Sequence, residues 1–171
     1  MTRNAGATYF IPSENEWYKA AYYNPSNASY WLYPTQSNTG PSPMLSATGT
    51  NNANTYLTDP TNDLTPVGAF AASPGPYGTY DMGGDVFQWN EANFDDFRGM
   101  RGGDWNSGDD ALASSNRYGS SPSSLFDYIG FRVASDPSGW EPVPEPSSIV
   151  LLGIGAVSLL AYAWRMRRRT A

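Results

Sequence analysis

The chain has 171 residues, enough for one domain and a tail, and it contains neither cysteine nor histidine. These absences exclude thiol nucleophiles, disulfides and the usual zinc and copper sites. Residues 1–148 hold 6 Arg/Lys against 16 Asp/Glu, a net charge of −10, whereas residues 149–171 hold four Arg and no acid, a net charge of +4. The acidic part argues against nucleic acid as a partner and is compatible with Ca²⁺, which takes oxygen ligands.

The first predicted element is a short helix. Ser13 and Glu16 form a capping-box pattern, and Trp17 opens an apolar i, i+3, i+4 pattern. We expect the helix to cover about residues 14–22, because the Asn-Pro step at 24–25 disfavours helical backbone.

A long polar segment follows this helix. Residues 24–66 are rich in Asn, Thr, Ser, Pro and Gly, which predicts irregular loop with a short strand near 30–33. A loop of this length in a compact domain is usually functional or held by something else, and a bound metal would supply such support.

Three later segments are predicted strands. The first lies near 86–89 after a Gly-Gly turn, the second is the glycine-framed piece at 99–105, and the third is 129–134, where apolar and polar residues alternate. Residues 137–146 read as a linker, which ends the predicted domain.

The C-terminal region has three parts in sequence. Val-Pro-Glu-Pro at 143–146 precedes an apolar run from Ile149 to Trp164. Four arginines follow this run: Arg165, Arg167, Arg168 and Arg169. As a helix the run would measure about 24 Å, short of the ~30 Å hydrocarbon core, so an ordinary tail anchor is the weaker reading.

This three-part pattern closely resembles the PEP-CTERM sorting signal of exported bacterial proteins. The resemblance implies that exosortase, a membrane transpeptidase-like enzyme, recognises Pro144, Glu145 and Pro146. Because basic residues stay on the cytoplasmic side, residues 1–142 are expected to face outward, in the cell envelope or released after sorting. Yet residues 1–6 show no apolar signal peptide. We therefore expect a truncated chain or a mis-assigned start, or else a split, non-functional reading frame.

Four motifs in the domain resemble the formylglycine-generating enzyme (sulfatase-modifying factor) family. They are YFIPSENEW at 9–17, YGTYDMGGDVFQW at 77–89, RGGDW at 101–105 and GFR at 130–132, in the family's order. The resemblance implies an α+β fold, an irregular module related to C-type lectins with little regular secondary structure. It also implies a domain over 1–135 that is incomplete at its N-terminus. A linker over 136–148 and a transmembrane helix with an arginine-rich tail over 149–171 complete the expected organisation.

The family's copper-dependent oxidase chemistry is not expected here. Its two cysteines, counted from the RGGDW motif, fall at Ser107 and Leu112, and neither side chain can bind Cu(I) as a thiolate does. The related iron-dependent branch needs a histidine cluster, which the chain also lacks. The resemblance therefore implies binding rather than chemistry.

Two calcium sites carry over from the resemblance as expectations. The first would use Asp81, Gly84, Val86 and Gln88, with Gln88 standing where the family has Glu. The second would use Asn54, Thr55, Asp59 and Thr61, in a loop that is shorter than the family's. The alternative is that the aspartates at 81 and 85 only cap turns.

The remaining basic residues of the domain are predicted to be structural. We expect Arg101, Arg117 and Arg132 to pair with buried acids such as Asp85 or Glu91 rather than with a substrate.

Residues 104–128 are predicted to form a recognition loop, because they are rich in Ser, Asn, Asp and Tyr, as antibody paratopes are. The favoured hypothesis is a non-catalytic surface or matrix module that binds a carbohydrate or protein there. The alternatives are an enzyme with altered chemistry, such as a Ca²⁺-assisted hydrolase, and a gene fragment without function.

Overall fold

The structure is a computed structural model that describes residues 3–135. By contacts the chain divides into two units, Met1–Ser135 and Asp136–Ala171, and the described residues belong to the first. The second unit contains the expected sorting motif, apolar helix and arginine tail, which lie outside the described residues.

The single α-helix of the described part, α1, covers Glu14–Tyr22, as the sequence predicts. Its N-terminus carries the full capping box, in which the Ser13 hydroxyl accepts from the Glu16 N–H and the Glu16 carboxylate accepts from the Ser13 N–H. These bonds satisfy backbone donors that the first turn cannot satisfy. Strand β1, Tyr9–Phe10, precedes the helix.

The segment after the helix is mostly irregular, as predicted, but its strand was misplaced. Strand β2, Tyr23–Asn24, pairs with β3, Ser29–Tyr30. The strand predicted near 30–33 therefore lies earlier in the chain and ends at Tyr30. Asparagine side chains connect the later loop: Asn51 donates to the Thr39 and Gly40 carbonyls and accepts from the Thr35 hydroxyl at 2.6 Å. Such side-chain bonds replace the backbone ladder that a regular element would provide.

A four-stranded sheet forms the centre of the domain, in the order β6-β5-β4-β7. Its strands are β4 (Phe87–Phe94), β5 (Phe97–Arg101), β6 (Tyr118–Ser120) and β7 (Ile129–Phe131). Strands β4 and β5 form an antiparallel hairpin, whereas β4 and β7 are parallel. A short 3₁₀ helix covers Asp109–Leu112, between β5 and β6.

Two strand predictions were wrong in extent. The strand expected over 99–105 ends at Arg101, because Gly102 and Gly103 adopt positive φ of 101° and 70° and turn the chain. The strand expected over 129–134 divides: β7 ends at Phe131, and β8, Ala134–Ser135, pairs with β1 in a separate two-stranded sheet. Strand β4 is longer than predicted, with eight residues.

The core contains two small clusters joined by a hydrogen bond. One contains Trp17, Ala21, Tyr22 and Met82, and the other contains Ala53, Ala111 and Leu112. The Tyr22 hydroxyl donates to the Leu112 carbonyl at 2.9 Å, and burial raises the pKa of this phenol. Helix α1 and the 3₁₀ helix are therefore fixed against each other across 90 residues of sequence.

Candidate functional site

The turn before β4 is organised around the buried Gln88 amide, which is 2% exposed. Its Oε1 accepts from Trp17 Nε1 at 2.9 Å and from Arg132 Nε at 2.7 Å, while its Nε2 donates to the Asp81 carbonyl at 2.8 Å. The Arg132 guanidinium also donates to the carbonyls of Tyr80 and Asp81, at 2.5 and 2.6 Å. One amide thus joins the helix, the turn and the end of β7.

This arrangement does not fit the first expected calcium set. An amide oxygen has two lone pairs, and Trp17 and Arg132 take both of those on Gln88. A guanidinium cation at 2.7 Å from that oxygen would also repel a divalent ion. The Gly84 carbonyl accepts from the Val86 N–H at 2.8 Å within the same turn.

The two aspartates of this turn differ in role. Asp85 accepts from Asn54 Nδ2 at 2.8 Å, from the Thr65 N–H at 3.0 Å and from the Thr65 hydroxyl at 3.1 Å, so it holds the 54–65 loop. Asp81 is half-buried, and burial followed by the charge of Asp85 raises the pKa of its carboxyl. Both residues adopt positive φ, of 54° and 67°, which Asp tolerates better than most residues.

The second expected set is only partly assembled for a cation. Asn54 and Thr55 are 1% and 0% exposed, and their Oδ1 and Oγ1 atoms have no hydrogen-bond partner. Buried oxygens without a donor fit an oxygen-ligated ion. Asp59, in contrast, caps its own turn by accepting from the Thr61 and Asn62 N–H groups, at 3.2 Å each. Thr61 is exposed, so Asn54 and Thr55 are the members that fit calcium.

The positions of the family's two cysteines are filled by structural side chains. Leu112 is 0% exposed and packs against Ala53 and Ala111. The Ser107 hydroxyl donates to the Asp104 carboxylate and accepts from the Asp104 N–H. Neither position therefore presents a reactive atom in a pocket.

The arginine partners differ from those predicted, and Glu14 is the acid that the sequence did not reveal. Arg101 and Arg117 both pair with its carboxylate, Arg101 at 2.7 Å. Burial raises the pKa of Glu14, but hydrogen bonds from Arg117 and Arg101 outweigh it and hold this pKa below its ordinary 4.5. Arg132 binds Gln88 and carbonyl oxygens instead of Asp85. In sequence Glu14 indicated only a favourable first-turn charge.

Residues 104–128, predicted as a loop, include the 3₁₀ helix and strand β6, and the part after β6 presents apolar side chains to solvent. Leu125 is 95% exposed and Phe126 is 49% exposed, with the Phe126 ring stacked on Tyr128 at 4.9 Å. The earlier part of the loop is fixed by the 3₁₀ helix, where Asp109 accepts from the Tyr56 hydroxyl at 3.0 Å. A hydrogen-bonded base is thus followed by two exposed apolar side chains.

Two absences apply to residues 3–135. No cluster of three or more acidic side chains is assembled there to hold a metal. Within the same residues there is no helix with the length and apolarity needed to cross a bilayer.

Comparison with known proteins gives the class of the domain. The profile of the "Sulfatase-modifying factor enzyme 1-like domain" matches residues 2–137, and that of the "PEP-CTERM protein-sorting motif" matches residues 142–169. The chain therefore belongs to the sulfatase-modifying factor enzyme 1-like family, and it carries an exported bacterial protein's sorting motif.

Two curated relatives are named "Inactive C-alpha-formylglycine-generating enzyme 2". The protein from Mus musculus is 36% identical over 81 residues, covering 42% of this chain and 26% of that protein. The protein from Bos taurus is 35% identical over 81 residues, covering 42% of this chain and 27% of that protein. The chain thus spans about a quarter of the length of these relatives.

Solved structures support the mixed fold with few helices. Treponema denticola variable protein 1 matches with a TM-score of 0.54 and 23% identity, covering 75% of this chain and 48% of that one. PvdO from Pseudomonas aeruginosa matches with a TM-score of 0.53 and 27% identity, covering 75% and 52%. CarF matches with a TM-score of 0.53 and 19% identity, covering 78% of this chain and 51% of that one. The chain spans about half the length of these structures.

Proposed function

We propose that this chain is a non-catalytic binding module of the sulfatase-modifying factor family, displayed at the bacterial cell envelope. Its sorting motif, Pro144-Glu145-Pro146, would be processed by exosortase, and its 104–128 loop would contact the partner. The observation that carries this proposal is the burial of Leu112 where the family has a catalytic cysteine. A core leucine keeps the fold while removing the metal ligand.

Loss of catalysis is testable with the family's own reaction. We expect the full chain, supplied with Cu(I) and oxygen, to leave a cysteine-containing sulfatase peptide unchanged by mass spectrometry. A variant that restores both cysteines, Ser107→Cys with Leu112→Cys, is the matched control for the missing ligands. Formation of formylglycine by the unaltered chain would refute the proposal.

The loop supports binding through its exposed apolar tip. Leu125 is almost fully exposed and Phe126, stacked on Tyr128, is half-exposed, so the two offer apolar surface to a partner. A carbohydrate or a protein could be the partner. The test is sedimentation of the full chain with cell-envelope polymer, using Leu125→Ser/Phe126→Ser. We expect this variant to bind at least about tenfold more weakly, and Val67→Ser, which changes an equally exposed residue outside the loop, to bind normally.

Calcium would serve this module structurally. The ion would be held by Asn54 and Thr55, whose buried oxygens lack donors, and would stiffen the loop that Asp85 anchors. The Gln88 turn needs no ion, because Arg132 already supplies a cation there.

A further inference from the structure

We propose that a groove beside β1 and β4 is a second binding site, which takes one neutral saccharide unit. It lies outside the 104–128 loop tip, so it does not depend on the loop's binding role. The groove encloses about 430 Å³, within the range of small-molecule sites. Its walls come from the N-terminal segment and β4, with Arg98 of β5 and Pro122 of the 104–128 segment, and include Tyr9, Phe10 and Trp89.

Three aromatic side chains line the groove beside polar, charged and aliphatic ones, and the Arg3 guanidinium covers the Phe10 ring. Tyr9 is 65% exposed and lies beside the groove, while Trp89 is half-buried in the opposite strand. An aromatic ring offers a flat apolar face, which suits the C–H face of a sugar ring. Neither ring takes part in the aromatic pairs of the domain's core.

One buried donor in the wall lacks a partner. Asn90 lines the groove and is 1% exposed, and its Nδ2 has no hydrogen-bond acceptor. Its Oδ1 is used, since it accepts from the Ala92 N–H at 2.9 Å. An unpaired buried N–H₂ costs about 1–3 kcal/mol. A ligand oxygen recovers that cost only when the Asn90 side chain turns this buried atom toward the groove.

The charges around the groove are already engaged within the protein. Arg3 donates to both carboxylate oxygens of Glu91, at 2.9 and 3.0 Å, and pairs with Glu16. Arg98 donates to the Glu91 carbonyl at 3.2 Å. A charged ligand would have to compete with these bonds, and a neutral ligand would not.

A sugar fits these three features better than a peptide does. Each sugar hydroxyl can both donate and accept, so the Asn90 donor finds an acceptor in several ligand orientations. A bound peptide backbone would also bring N–H donors, which the unpaired Asn90 donor cannot accept. The geometry therefore favours a neutral pyranose stacked on an aromatic ring with one oxygen facing Asn90.

The test is saturation-transfer NMR on the full chain in a detergent without sugar groups. The ligands are a panel of neutral hexoses and N-acetylhexosamines, with a neutral tripeptide as the competing class. We expect saturable binding to at least one sugar, and Tyr9→Ala should weaken it about tenfold. Tyr77→Ala, another half-exposed tyrosine that does not line this groove, should bind as the parent chain does.

Asn90→Asp provides an independent arm, because it keeps the acceptor for the Ala92 N–H and removes the donor. Weaker sugar binding with an unchanged circular dichroism spectrum supports the proposal. If Asn90→Asp misfolds, Tyr9→Ala decides alone, because its side chain is mostly in solvent. Any of three results would overturn the proposal. The first is no saturable signal from any sugar, the second is sugar binding that Tyr9→Ala does not change, and the third is binding of the tripeptide alone.

Discussion

Replacing Gln88 by Leu tests whether one amide holds the helix, the turn and β7 together. The substitution keeps the approximate size but leaves two buried donors unpaired, Trp17 Nε1 and Arg132 Nε. The first loss costs about 1–3 kcal/mol, and the second, which involves a charged group, about 1.5–3 kcal/mol. We therefore expect Gln88→Leu to reduce the free energy of unfolding by about 2.5–6 kcal/mol.

The assay is urea unfolding of the full chain, followed by circular dichroism. Gln36→Leu is the matched control, because Gln36 is exposed and its amide bonds only to loop carbonyls, so its loss should stay below about 1 kcal/mol. Gln88→Glu should fall between the two, since it keeps the acceptor for Trp17 and Arg132 but loses the N–H to Asp81. A Gln88→Leu variant within about 1 kcal/mol of the parent chain would refute the network.

Three further predictions concern charge, metal and backbone. The pKa of Glu14 is lower in the folded chain than its ordinary 4.5, so Glu14 stabilises the fold above pH 4.5 and this contribution disappears as the pH falls through the folded pKa. Glu14→Gln should therefore flatten the loss of stability that is measured as the pH falls below 4.5. Calcium should raise the melting temperature of the parent chain and of Gln88→Glu, and a chelator should reverse the rise. Asn54→Leu should show no such rise. A melting temperature that calcium changes in none of the three proteins contradicts the site. Gly84→Ala should destabilise by at least about 1–3 kcal/mol in urea, because φ is +80° and the new Cβ would overlap the Asn54 carbonyl; an unchanged midpoint would contradict this backbone geometry.

The calcium expectation shows where a family motif stops being informative. The motif at 77–89 predicts four ligands by position, but position does not show what a neighbouring side chain does. Arg132, 44 residues after Gln88, occupies the Gln88 oxygen and two carbonyls of the turn. The sequence could not reveal this, because the two residues meet only when β7 pairs with β4.

The strand predictions failed for a related reason. Apolar alternation over 129–134 predicts one strand, yet the chain leaves the sheet at Arg132, whose side chain reaches the Gln88 turn. Likewise, Gly102 and Gly103 frame a predicted strand, whereas their positive φ turns the chain, and an added Cβ there would overlap the Met82 carbonyl or Leu112. Alternation reports the environment of side chains and does not show which partner strand is present.

The sequence by itself determined the features that depend on composition or on residues close together in the chain. The capping box determines the start of α1, and the motifs indicate the family and the sorting signal, while the absence of cysteine predicts that this chain lacks the family's oxidase chemistry. The tertiary structure decided the pairing of Glu14 with Arg101 and Arg117, the burial of Leu112 and the groove at Asn90. Those features join residues up to 103 positions apart, and such contacts form only when the whole chain closes on itself.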